Sequence, residues 1–174
     1  MSSFTERMMR AARLDAQLYE EVEADQTAMG QAMGVVVLSS VATGIGMIGI
    51  TGAIGIVVGT IGALVGWYIW ALLTYYIGTR LLPGPQTQAD VGQLLRTTGF
   101  SSTPGLLRIF GIISPLNSIV QVVTGVWMLI AMIVAVRQAL DYETTGRAVA
   151  VCVVGFIVQI LVLALIFALL GGHP

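Results

Sequence analysis

Residues 26–79 read QTAMGQAMGVVVLSSVATGIGMIGITGAIGIVVGTIGALVGWYIWALLTYYIGT, and none of them carries a charge. Asp25 closes this stretch on one side and Arg80 on the other. One helix crosses the hydrocarbon core of a bilayer with about 20 residues, so the stretch holds two crossings. Gly49-Ile50-Thr51-Gly52 supplies the turn between them. The spacing predicts spans over residues 28–50 and 53–77.

The rest of the chain agrees with this reading. Of 174 residues, 56% are hydrophobic and 10% charged, and the mean hydropathy is +0.90. A soluble domain carries roughly 25% charged residues, needed to cover its outside. A membrane-embedded domain over residues 27–174 is expected, with the lipid bilayer as its first partner. It follows an N-terminal segment, residues 1–26, whose charges argue against a cleavable signal peptide.

Beyond Arg80, Leu82-Pro83-Gly84-Pro85 breaks the helix, and Thr87-Gln88-Ala89-Asp90 looks like a fresh helix start. Val91, Leu94 and Leu95 fall at helical spacing among polar residues, which predicts a short amphipathic helix over 87–97 on the membrane surface. Residues 98–114 are apolar enough to cross but contain Pro104 and Arg108. Thr103-Pro104 reads as an N-cap and first helical position. An α-helix from Pro104 to Ile113 reaches only about 15 Å, so Gly99–Thr103 must complete that crossing. Spans over 116–136 and 148–170 follow, bounded by Pro115, Arg137, Arg147 and Gly171-Gly172.

The positive residues are all Arg. With five crossings, Arg7, Arg10, Arg13, Arg80, Arg96, Arg137 and Arg147 fall on one side, the pattern of cytoplasmic loops. Without the third crossing, Arg137 and Arg147 fall on the wrong side. The expected fold is therefore all-α: a five-helix transmembrane bundle, N-terminus inside and C-terminus outside.

The tail opens with a capping box at Ser3-Phe4-Thr5-Glu6, and Phe4, Met8, Ala11, Leu14, Leu18 and Val22 recur at helical spacing. The pattern fits a cytoplasmic amphipathic helix leading straight into span one, or a frayed, solvated helix. Glu20, Glu21, Glu23 and Asp25 gather before the membrane and are the candidate surface for a basic partner; a solvated acidic helix end is the alternative. No calcium-loop spacing accompanies them.

Gly30 with Gly34, and Gly55, Gly59, Gly62 and Gly66, form small-residue ridges that let helices approach closely, within one chain or in a homo-oligomer. Arg108 is the one charge at bilayer depth, and so a functional candidate. Asn117, Gln121 and Thr124 share a face of span four, and Gln159 lies mid-span in the fifth. These groups surround a polar cavity together with Arg108, or else Arg108 snorkels outward while the amides link helices. Trp67 and Trp70 are expected to pack between helices.

Cys152 is expected to be a reduced, packed thiol. The one His, His173, is penultimate and is expected to be disordered. No nucleophile–base set, metal spacing, phosphate loop or carboxylate pair is legible, so no cofactor, no metal and no enzyme activity are expected. A net charge of −1 argues against nucleic acid.

Tyr19-Glu20-Glu21-Val22-Glu23-Ala24-Asp25, Thr98-Gly99-Phe100, Pro104-Gly105-Leu106-Leu107-Arg108, Trp127, Val136-Arg137-Gln138-Ala139-Leu140-Asp141-Tyr142-Glu143 and Arg147-Ala148 together resemble a bacterial member of the Yip1 family, over nearly the whole chain. The resemblance implies five spans and a cytosolic N-terminus, which places the chain in the bacterial inner membrane. Its eukaryotic relatives are implied to bind Rab-type GTPases in membrane traffic; their Asp-Leu-Tyr-Gly-Pro motif is not found in this chain. A non-catalytic scaffold binding membrane or peripheral proteins is the expected function. The alternative is a small transporter or channel around Arg108.

Overall fold

Ser3 sets the first helix. In the computed structural model, which describes residues 2–169, its hydroxyl accepts the Glu6 amide at 3.2 Å while the Glu6 carboxylate accepts the Ser3 amide at 3.4 Å. Helix α1, Phe4–Ala12, stops where Leu14 turns left-handed, with φ of 62°. Asp15 then caps α2, Ala16–Ala24. The tail is therefore a helical hairpin and not one helix running straight into the membrane. The physical reason is charge: Arg7 and Arg10 on α1 reach Glu21 and Asp25 only when α2 folds back. The hairpin buries Ala11, Leu18, Tyr19 and Val22 against Ala32, Val35, Phe100 and Ala135.

Helix α3, Met29–Gly46, is followed by α4, Ile48–Tyr76. The break inside α4 falls at Gly52, whose φ of 65° and ψ of −178° suit a residue without a side chain. α3 and α4 pack tightly beyond this turn: a Cβ on Gly44 would stand 2.9 Å from Ile56. Helices α6, Asn117–Ala139, and α7, Thr145–Leu169, complete the long set. Among the described residues four helical stretches are long and apolar enough to cross a membrane: Gln26–Gly46, Ile48–Leu81, Ser114–Ala139 and Thr145–Val162. The chain is all-helical there, without a strand. His173 and the last residues of the expected fifth span lie outside the described residues.

The segment between Arg80 and Asn117 departs most from expectation. Helix α5 is Val91–Phe100, capped by a box of Asp90 and Gln93. It does not lie on a surface: Leu94 to Phe100 are all buried, because the hairpin covers them on one side and α3, α4 and α6 on the other. After Ser101-Ser102 the chain continues as a 3-10 helix, Thr103–Ile112. Thr103 does not cap it; its hydroxyl donates backward to the Phe100 carbonyl at 2.7 Å.

Three glycines run this segment along α3. A Cβ on Gly99 would stand 2.8 Å from the Ala32 side chain, one on Gly105 would meet the Ser39 hydroxyl, and one on Gly111 would come within 3.5 Å of Gly46. Small residues thus face small residues at steps of six on one strand of chain and seven on the other. Ala32 to Gly46 spans about 21 Å of α-helix. Gly99 to Gly111 covers the same height with two fewer residues because 3-10 winding rises about 2.0 Å per residue. That winding explains how so short a segment keeps pace with α3.

The loops at the hairpin end are pinned. The Tyr142 hydroxyl donates to the Leu82 carbonyl at 2.7 Å, Thr87 donates to the Leu140 carbonyl at 2.8 Å, and Arg147 donates to the Pro83 carbonyl at 2.7 Å. A core of Trp70, Ile77, Leu94, Val136, Leu140 and Val151 sits beneath them, with the buried free thiol of Cys152.

Candidate functional site

Helices α3, α4, α6 and α7 and the 3-10 segment enclose a cavity of about 480 Å³. Arg108 and Gln159 stand in its wall, with Trp67, Trp70, Met128 and Phe156. The half-buried Arg108 guanidinium donates from Nε to the Thr124 hydroxyl at 3.1 Å. Among the described residues no carboxylate pairs with it, and its two Nη groups make no hydrogen bond. The Thr124 hydroxyl donates in turn to the Val120 carbonyl at 2.7 Å.

The structure divides the sequence-predicted polar cluster. Arg108 and Gln159 reach the cavity and Thr124 orients Arg108. Asn117 does not join them: its amide donates to the Gly46 and Gly111 carbonyls at 3.0 and 2.9 Å, tying the end of α3 to the 3-10 segment. Gln121 is not in the cavity wall either, and its buried amide nitrogen has no partner. Trp67 donates to the Leu95 carbonyl at 3.1 Å, and Trp70 lies 3.1 Å from the Met132 sulfur and 4.5 Å, ring to ring, from Phe156.

Within the chain the glycine ridges do not pack helices against one another. A Cβ on Gly30, Gly59, Gly62 or Gly66 would have nothing within 4 Å. On Gly34 it would touch only Phe4 at 3.7 Å, and on Gly55 only Thr51 of its own helix. Gly55, Gly59 and Gly66 instead form bare backbone wall along the cavity. Close contacts between elements fall instead at Gly44, Gly46 and Gly78 and at the evenly stepped Gly99, Gly105 and Gly111. The six-residue spacing of the last three was the available signal, and a search for four-residue spacing passes over it.

The acidic patch is also spent largely inside the chain. Arg7, buried to 4% exposure, holds Glu21 at 3.0 Å and Asp25 at 2.8 Å, and Arg10 holds Glu21 at 2.7 Å. The Ser2 hydroxyl, then Arg10 and Arg7, keep Glu21 below the ordinary carboxylate range; the Thr27 hydroxyl and Arg7 do the same for Asp25. Glu20 accepts from the Gln138 amide at 2.9 Å. Glu23 differs. Burial, then the nearby Asp141, pushes its carboxyl up to about 7, with Glu20 and Asp90 adding and Arg96 opposing. Arg96 itself donates to the backbone carbonyls of Val22 and Glu23, the last turn of α2. Trp127 donates to the Ala12 carbonyl at 2.8 Å. Among the described residues no group of His, Cys, Asp and Glu is placed to hold a metal ion.

Neither the curated proteins nor the solved structures contain a match to this chain. The family model of the Yip1 domain matches residues 17–166, from within α2 to near the end of α7. That match takes in the Arg96 anchor, the glycine-stepped segment and the cavity, so the chain belongs to the Yip1 family of multi-pass membrane proteins.

Proposed function

We propose that the chain is a non-catalytic scaffold with five crossings, its N-terminus in the bacterial cytoplasm, that presents its N-terminal hairpin to membrane or peripheral protein partners. One observation carries the reading: the hairpin is fixed to the bundle by Arg7 to Gln31, Arg96 to Val22, Trp127 to Ala12 and Gln138 to Glu20. A segment held at four points to three different helices is a platform, and its outward residues Glu6, Met9, Arg13, Gln17 and Glu20 are exposed. Of the four acids, Glu20 alone is exposed, so it is the acid that meets a basic partner. The fifth crossing is supplied by α5 and the 3-10 helix, ten residues each. End to end they reach about 35 Å, enough for a hydrocarbon core of about 30 Å.

The test is crosslinking in native membranes from a photoreactive residue at Met9, with and without Glu20→Arg. Specific adducts that fall with Glu20→Arg support the platform; adducts to lipid alone oppose it. A small transporter is the second reading, favoured by Arg108 and Gln159 sharing one cavity. Uptake into proteoliposomes, with Arg108→Ala as control, decides it: silence of both across ions and small solutes ends that reading.

A further inference from the structure

The cavity beside α4 is chemically two-ended. On the α3 side Ser40 donates to the Val37 carbonyl at 2.8 Å and Thr43 to the Ser39 carbonyl at 2.8 Å, and both tryptophan N–H groups are turned to protein partners; Ser39, Ser102 and Gln159 add polar groups elsewhere in the lining. What remains along α4 is glycine backbone and aromatic face. From Gly55 to Trp70 this wall is about 22 Å long. Gly59 is exposed, with open space where a side chain would stand, so the wall is open to its surroundings near its middle and closes toward the buried Trp70. At one end, near the α3–α4 turn, the Arg108 carbonyl abuts Gly46 and its guanidinium has two Nη groups without a protein acceptor among the described residues.

A guanidinium stays charged, and away from water its free donors call for an anionic acceptor. Thr124 is neutral and does not compensate it. The flat fork of donors fits a carboxylate or phosphate with two parallel hydrogen bonds. A hydrophilic solute needs donors and acceptors along its whole surface, and the α4 face from Gly55 to Trp70 offers it only helix backbone and aromatic rings. An acyl chain needs none. We propose that the cavity binds an anionic lipid of the surrounding bilayer, its oxyanion on the Arg108 Nη groups and one acyl chain along the glycine wall of α4 toward Trp67 and Trp70. The volume of about 480 Å³ lies within the range of roughly 300–1,000 Å³ found for ligand pockets.

The tryptophans supply the readout. The protein is placed in nanodiscs of unlabelled phosphatidylcholine, and lipids brominated in the acyl chain are titrated in: a fatty acid, phosphatidic acid and phosphatidylcholine. The expected result is saturable quenching by an anionic lipid at mole fractions where brominated phosphatidylcholine gives only shallow, linear quenching. Which anionic arm saturates first names the head as carboxylate or phosphate. Arg108→Gln is expected to weaken that saturation about tenfold, the loss of hydrogen bonds to a charged group. Gly59→Leu, whose Cβ would have no protein atom within 4 Å, is expected to abolish it, and decides the matter if Arg108→Gln fails to fold. Equal quenching by anionic and zwitterionic lipids overturns the proposal, as does saturation unchanged in both variants.

Discussion

The Arg7 guanidinium holds the Asp25 carboxylate at 2.8 Å, joining the start of the N-terminal hairpin to the residue that ends it. Arg7 is 5% exposed at its side chain while Asp25 and Glu21 are 21% and 34% exposed, so the pairs are screened from one side only. Replacing Arg7 by Ala leaves two carboxylates facing each other and costs about 1–3 kcal/mol, less than for a fully buried pair. Limited proteolysis in detergent is expected to cut Arg7→Ala within the hairpin several times faster than wild type while the bundle stays intact. An unchanged cutting rate counts against the clamp.

Arg96 approaches the hairpin from below, donating to the carbonyls that end α2. Those carbonyls have no intrahelical partner, and a cation there also meets the negative end of the helix. Arg96→Ala is expected to lower thermal stability by about 1.5–3 kcal/mol. Arg96→Lys, which cannot reach two carbonyls at once, is expected to restore only part. Full recovery by Lys would show that charge alone matters.

Glu23 sets a pH dependence. Its folded carboxyl, raised to about 7, binds a proton more tightly than in the unfolded chain, so its contribution is complete below the ordinary glutamate range and is lost as pH rises through 7. Glu21 and Asp25 act in the opposite sense: held low, they stabilise above the ordinary range and lose this as pH falls. Melting curves should therefore show wild type losing stability as pH rises from the ordinary glutamate value of 4.5 to about 7 and levelling off above it, and Glu23→Gln should flatten that fall. Parallel profiles for the two proteins would contradict the assignment.

The glycines separate into two kinds by substitution. Gly99→Ala places a methyl 2.8 Å from Ala32 and is expected to cost about 1–3 kcal/mol through forced separation of α3 and α5. Gly66→Ala projects into open space and is expected to be neutral or stabilising. Comparable losses at both positions would mean that Gly66 is packed after all.

Much of this was legible in the sequence. The uncharged run from Gln26 to Thr79 holds two helices because nothing in it can be left in water, and Gly52 supplies their break. Arg108 and Gln159 stood out as polar groups at bilayer depth, and both reach the cavity. The hairpin was not legible, because its reversal at Leu14 uses a left-handed leucine where a glycine would have announced a turn. The acids before α3 looked like a docking patch because their partners, Arg7 and Arg10, become neighbours only after that reversal. The ridge from Gly55 to Gly66 was read as a packing surface. A tight helix contact and the wall of a cavity both demand small residues at four-residue spacing, and only the neighbours distinguish them. The 3-10 winding after Ser102 likewise leaves no periodic mark in ten residues that include Pro104 and Gly105.

The crossing proposed for α5 and the 3-10 helix is the hinge of the whole threading, and cysteine labelling in sealed vesicles reads it directly. In a Cys152→Ala background, single cysteines at Thr5, Ser114 and Thr144 are exposed to a membrane-impermeant maleimide from either side. Five crossings predict that Thr5 and Thr144 react from one side and Ser114 from the other. Ser114 reacting on the same side as Thr5, with Thr144 on the opposite side, would contradict the account.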